Sequence, residues 1–297
     1  MSDAPAVAVL DPNTKLGLAR GRPLRAVELD TCKWPLGCPE RLIGKRMNDL
    51  LPGDHIVGFA QNLSPRWPAR GVRAQISIVL AEPTAIHGAY QTRVARNARR
   101  FHRVLSYNAE LLARIPNGIF FPYGSTWVRD WQTRDMTKSK LCSLIASAKR
   151  SQPGHVLRHQ VAEWIGVAGV EVDLLGQGYA PFKDKGDGLA PYRYSVVIEN
   201  VREENCFTEK LIDTLLCDTV PIYWGCPNIA DFIDTRGMVI CTDLEDVQAA
   251  LNAMSEEDYI ARLPDLMAAK TQAGHYADFF ERAARAVLED RPVPHLT

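Results

Sequence analysis

No stretch of this chain approaches the roughly 18 consecutive apolar residues that a bilayer-spanning helix needs. The opening segment, MSDAPAVAVLDPNTKLGLARGR, lacks a basic region followed by an apolar core, so no secretory signal is expected. Neither sign of charge is in surplus. Lys+Arg and Asp+Glu are both 35, and the formal net charge is zero. A nucleic-acid-binding protein usually carries a basic excess, so none is expected as a partner. The glycine pair Gly176 and Gly178 lacks the G-x-G-x-x-G spacing of a dinucleotide site, which argues against an oxidoreductase. Internal repeats and low-complexity segments are missing too. The seven cysteines are scattered and read as reduced thiols. Cys32 and Cys38 flank KWPLG, but a lone pair falls short of the about four ligands of a zinc site. The expected location is the cytoplasm, with peripheral contact at the inner membrane face.

What is present suits a globular protein. At 297 residues, 46% hydrophobic and 24% charged, the chain can build two domains with separate cores. Residues 1–23 read as a loose leader. PLRAVELD, HIVGFA and QISIVLAEP read as strands. AYQTRVARNARRFHRVL reads as a helix running into an extended stretch, followed by SYNAELLARI and the strand GIFFPYG. GSTWVRDWQTRDMTKSK is polar and irregular, and is the expected linker. KLCSLIAS then opens a second domain as a strand, and GHVLRHQVAEWIG follows as a helix ended by Gly166. EVDLLGQG reads as strand and turn. Thr242 and Glu245 predict a capping box for DLEDVQAALNAM. The amphipathic tail reads as helical to about Leu288. Alternating strands and helices imply parallel sheets, with domains of residues 1–135 and 136–297.

The densest information lies in YRYSVVIENVREENCFTEKLIDTLLCDTVPIYWGCPN, residues 192–228. YSVVIEN is a β-branched run and predicts a buried strand. Thr208 stands as N-cap before EKLIDTLL. VPIYWG returns as a strand, opened by Pro221 and closed by Gly225. This is a βαβ unit. Its helix N-terminus attracts anions, because free N–H groups and the helix dipole face whatever sits there. Glu209 and Lys210 lie in the first turn. The lysine opposes the dipole unless an anion shares the site, and the carboxylate can accept hydroxyl hydrogen bonds. A nucleoside diphosphate satisfies both.

The run resembles the signature of the α-1,3/4-fucosyltransferases, approximately FEN…YVTEKL…G.VPVYWG.PNI. The matching letters are IEN at 198–200, FTEKLID at 207–213 and VPIYWGCPNI at 220–229. The resemblance implies a two-lobed GT-B fold, with two Rossmann-like lobes facing a cleft. It implies an inverting transfer of fucose from GDP-fucose to a glycan hydroxyl, with no cofactor and no metal required. The absence of any D-x-D, the motif by which GT-A enzymes hold a metal against the diphosphate, agrees with that. Animal members carry an N-terminal anchor, and this chain resembles the soluble bacterial members instead. A tail that returns to the first lobe is implied as well. The acceptor expected is an oligosaccharide or glycolipid, in lipopolysaccharide or protein glycosylation.

By the same resemblance, Glu82 in AEPTAIH corresponds to the family's catalytic base. It also closes a strand, where α/β sheets place ligands. The plain alternative is a solvent-facing strand end. His87 is a candidate assistant, but a lone loop histidine is more often incidental. Arg158 corresponds to a donor-phosphate arginine, whose planar fork grips phosphate oxygens. The family's Ser-Asn upstream is here Ser147-Ala148. Lys210 and Glu209 are the phosphate and ribose candidates. Glu199, Asn200 and Thr208 help to build the donor pocket. Phe207 directly precedes the cap, and is expected at the helix entrance beside the donor. Tyr223 and Trp224 read as core rather than as a base-stacking platform. Arg93, Arg96, Arg100 and Arg103 are expected along one helix face. Two alternatives stay open: a GT-B transferase using another nucleotide sugar, and a catalytically silent relative that binds nucleotide or glycan.

Overall fold

The structure is a computed structural model and describes residues 4–13, 23–66 and 71–289. The chain forms two compact units. One runs to Pro122 and takes up the chain again from Phe279; the other is Tyr123–Asp278. The division thus falls earlier than residue 135, and the tail belongs to the first unit.

The first unit holds five parallel strands in sequential order: β1 (Val7–Val9), β2 (His55–Phe59), β3 (Gln75–Leu80), β4 (Val104–Ser106) and β5 (Gly118–Phe120). Helices α1 (Thr84–Arg96) and α2 (Ala109–Ala113) connect β3 to β4 and β4 to β5. Right-handed crossovers that always step the same way put their connections on one face. That face buries Ala8, Ile56, Ile78 and Leu80 against Val94 and Leu111. The alternate positions of each strand point to the other face. There the last helix, α7 (Phe279–Glu289), packs on β1 and β2, and Phe279 stacks on Phe59 at 5.9 Å.

The second unit contains β6 (Lys140–Ile145), α3 (Pro153–Ala168), β7 (Val172–Leu175), β8 (Tyr192–Ile198), α4 (Glu209–Leu216), β9 (Val220–Trp224), β10 (Val239–Ile240), α5 (Leu244–Ala253) and α6 (Glu256–Gly274). Its parallel sheet has the order β10-β9-β8-β6-β7. The chain starts in β6, steps out to β7, then crosses back to β8. This is a doubly wound order with its reversal between β6 and β8. Such sheets bind ligands beyond the carboxyl ends of the strands at the reversal. The first unit, wound in one direction, has no such point.

Several local expectations are corrected. The stretch read as a loose leader contains β1, whose three residues are all buried. PLRAVELD forms 3-10 turns instead of a strand. Helix α1 stops at Arg96, so Arg100 and Arg103 lie beyond it and the four arginines share no helix face. Gly166 is internal to α3, which ends at Gly169 in the left-handed conformation (φ 69°). Asp243, not Thr242, caps α5 by accepting from Asp246 N at 2.9 Å. The expected linker, residues 124–140, is packed into the second unit. Val128 is buried with Leu189, Ala190 and Cys217, and Lys138 Nζ donates to Ala190 O, Cys217 O and Thr219 Oγ1. Among the described residues, no helix is long and apolar enough to cross a membrane.

Candidate active site

Glu199 follows β8 directly, and its N–H donates to Trp224 O at 2.8 Å. Its carboxylate is buried. A buried carboxylate is tolerated only with hydrogen bonds and a countercharge. It has both. Thr208 N donates to Oε1 at 2.8 Å, Thr208 Oγ1 donates to Oε2 at 2.8 Å, and Lys210 Nζ lies 3.4 Å from Oε2. The glutamate therefore ties the cap of α4 to the end of β8. Gly225 completes the fit: a Cβ there would lie 2.7 Å from Glu199 Cγ.

The first turn of α4 carries the charges. Thr208 is the N-cap, as the sequence predicts, and its hydroxyl accepts from Lys210 N. Lys210 Nζ lies 3.0 Å from Thr208 Oγ1 and 3.3 Å from Glu209 Oε1. Burial opposes its charge, but Glu199 and Glu209 outweigh that and raise its pKa. Burial likewise pushes Glu209 up, yet Lys210 and Lys185 hold it below the usual carboxylate range. Both groups are ionised at neutral pH.

Arg158 is buried on α3. It donates from Nε to Ile198 O at 2.9 Å, and Nη2 bonds Ile198 O and Asn200 Oδ1. These bonds fasten α3 to the end of β8. Asn200 O accepts from Gly154 N at 2.9 Å. The close approach requires glycine, because a Cβ at residue 154 would stand 1.7 Å from Glu199 O. His155, next along, is buried. Its pKa is lowered by burial and by Arg158 and Lys149, so the ring is neutral.

Phe207 is a correction. Its ring is fully buried, 5.3 Å from Phe232 and 5.0 Å from Tyr276, and does not stand open at the helix entrance. Residues flanking the cap on the sheet side must fill the core, and an aromatic ring does so. Tyr223 and Trp224 are core as expected. Tyr223 OH accepts from Cys226 N, and Trp224 Nε1 donates to Thr242 O.

Sequence reasoning passed over Lys185 and Asp213. Asp213 is fully buried on α4 and accepts from Thr126 Oγ1 at 2.6 Å and Trp127 N at 2.9 Å. Lys185 Nζ sits 2.7 Å from Asp213 Oδ2 and 3.9 Å from Glu209 Oε1. An aspartate on the otherwise apolar face of LIDTLL was the available signal.

Glu82 lies in the first unit, just past β3 and before α1. Its carbonyl accepts from Gln91 Nε2 at 3.2 Å and Tyr107 OH at 3.4 Å. The residue is half-buried, at the carboxyl end of the central strand of its sheet. His87 lies within α1, its ring 6.4 Å from Tyr90.

Sequence comparison now bears on this geometry. An α-(1,3)-fucosyltransferase of Helicobacter pylori is 31% identical over 70 residues, 24% of this chain and 15% of that protein. A putative fucosyltransferase-like protein of Arabidopsis thaliana is 33% identical over 82 residues, 27% of this chain and 15% of that protein. Over these stretches the chain is similar to fucosyltransferases. The matches span about a seventh of those relatives' own lengths, 15% in each case. No family model matches the chain. Among solved structures, an α-glucosyltransferase in complex with UDP-glucose and DNA containing an abasic site covers 82% of this chain and 81% of its own, with a TM-score of 0.56 at 9% identity. That likeness shows the fold, an α/β architecture of the GT-B type, with two parallel sheets.

Proposed function

We propose that this protein is a fucosyltransferase that moves fucose from GDP-fucose to a hydroxyl of an oligosaccharide or glycolipid acceptor, with inversion and without a bound metal ion. The observation that carries the reading is the first turn of α4. An ionised Lys210 and Glu209 stand together at a helix N-terminus, next to the strand reversal where such sheets take ligands. The sequence relationship to fucosyltransferases supports the choice of sugar. Donor binding is assigned to the second unit and acceptor activation to the first.

Lys210 meets the diphosphate and Arg158 Nη1 assists. Glu209 accepts hydrogen bonds from the ribose. Thr208, Glu199 and Asn200 hold these groups in place. Glu82 takes the proton of the acceptor hydroxyl as its oxygen attacks the anomeric carbon from the face opposite GDP. The bond from that carbon to the phosphate oxygen breaks, and the electron pair leaves with GDP. Cations fixed beforehand at that oxygen lower the barrier. These positions read the nucleotide rather than the sugar ring, so a second GT-B donor is the reading to test against.

The test is donor turnover by the purified protein with GDP-fucose and a panel of other nucleotide sugars, with and without EDTA. GDP-fucose hydrolysis that survives EDTA is expected. GDP at a hundredfold its dissociation constant should also stabilise the protein by about 2.7 kcal/mol. A strict requirement for a divalent cation, or preference for another donor, contradicts the proposal. GDP binding with no turnover on any acceptor indicates a silent relative.

A further inference from the structure

The charged groups around α4 form an alternating chain. Asp213 Oδ2 lies 2.7 Å from Lys185 Nζ, which lies 3.9 Å from Glu209 Oε1. The same Glu209 oxygen lies 3.3 Å from Lys210 Nζ, which lies 3.4 Å from Glu199 Oε2. At one end Glu199 is anchored by Thr208. At the other, Asp213 is anchored by Thr126 and the backbone of Trp127.

Lys185 is the least expected member. It comes from the loop before β8, from a different part of the chain than the signature helix. Its ammonium also lies over the Trp127 ring, 4.9 Å from the centroid. Asp213 is fully buried, so its charge must be balanced locally. An aspartate serving only to close the core needs no partner that reaches a second carboxylate. Here the partner extends to the one carboxylate in the first turn of α4.

We infer that Lys185, held by Asp213, is a positioning residue of the donor site that fixes the Glu209 carboxylate and keeps it ionised for the donor's hydroxyls. Lys210 alone cannot do both tasks. When the diphosphate arrives it draws Lys210 toward itself, and Glu209 needs a second cation to stay in place. Lys185 has that function because its own anchor, Asp213, is fully buried. The groups bearing on Glu209 are Lys210 from its own helix, Lys185 from the loop, and Arg158 from α3. Removing Lys185 deletes one of these cations, so the Glu209 carboxyl protonates at a higher pH than before. The inference rests on the GDP-sugar reading above.

The experiment compares Lys185→Met, Lys185→Arg and the double variant Lys185→Met/Asp213→Asn with the wild type. GDP and GDP-fucose binding are measured by calorimetry between pH 4.5 and 8. The single Met variant leaves Asp213 without its countercharge and loses stability for that reason alone; the double variant removes the buried charge as well and keeps the acceptor oxygen for Thr126 and Trp127. In the double variant, donor binding should weaken about tenfold, and the pH below which it is lost should rise by about one unit, as expected for loss of a nearby opposite charge. Lys185→Arg should restore most of both. Wild-type affinity and an unmoved acid limb in the double variant overturn the inference. If the wild type itself fails to bind GDP, the functional reading is what falls.

Discussion

Glu199 shows how one buried side chain converts a strand end into a site. Its carboxylate accepts from the Thr208 backbone and hydroxyl and faces Lys210. The resemblance alone gave Glu199 and Asn200 a place near the donor; the bonds show that they hold the groups assigned to touch it. Thr208, Glu209 and Lys210 were legible because a capping residue and two opposite charges in a first turn have few other readings. Lys185 was not legible, since a lysine in a Gly-rich loop gives no hint of the buried aspartate it reaches. Phe207 was misread for a related reason. Its neighbours in sequence are proposed site residues, but its ring faces Phe232 and Tyr276. A hydroxyl added there enters a packed core. Phe207→Tyr should therefore destabilise the protein by about 1–3 kcal/mol in urea unfolding, as overpacking does, with GDP affinity unchanged. A gain in GDP affinity with no loss of stability would place the ring in the pocket after all.

At the level of elements, the βαβ unit of β8, α4 and β9 follows the sequence closely. Its β-branched run, its threonine cap and its Pro–Gly punctuation agree with one another. Strand β1 was invisible because it is three residues long and sits in a Gly- and Pro-containing segment. The docking of α3 was also invisible. Pro153 and Gly154 read as an ordinary helix start, yet Gly154 is where α3 touches β8. Its N–H donates to Asn200 O, and the missing Cβ leaves room for Glu199 O. Gly154→Ala must push α3 away from the strand end and carry Arg158 with it. The expected cost is about 2–3 kcal/mol of stability, in the range of core overpacking, together with weaker GDP binding. Thermal unfolding with and without GDP measures both; an Ala variant as stable as the wild type would show that the two elements are not packed as described.

For the whole molecule, the two sheets solve different problems. The first is wound in one direction, so its own crossovers cover one face and α7 returns from the end of the chain to cover the other. The amphipathic pattern alone did not say on what the tail would pack; the family resemblance implied the first lobe, and α7 belongs to the first unit. The second sheet reverses between β6 and β8, and the proposed donor site stands beyond that reversal, where such sheets take ligands. This division of labour assigns Lys210 and Glu82 different tasks, and calorimetry of GDP binding to Lys210→Ala and Glu82→Gln tests it most directly. Lys210→Ala should weaken GDP about ten- to hundredfold, the worth of one charge-assisted hydrogen bond. Glu82→Gln should bind GDP like the wild type while losing transfer to the acceptor. Unchanged GDP affinity in Lys210→Ala, or lost GDP binding in Glu82→Gln, would contradict the account.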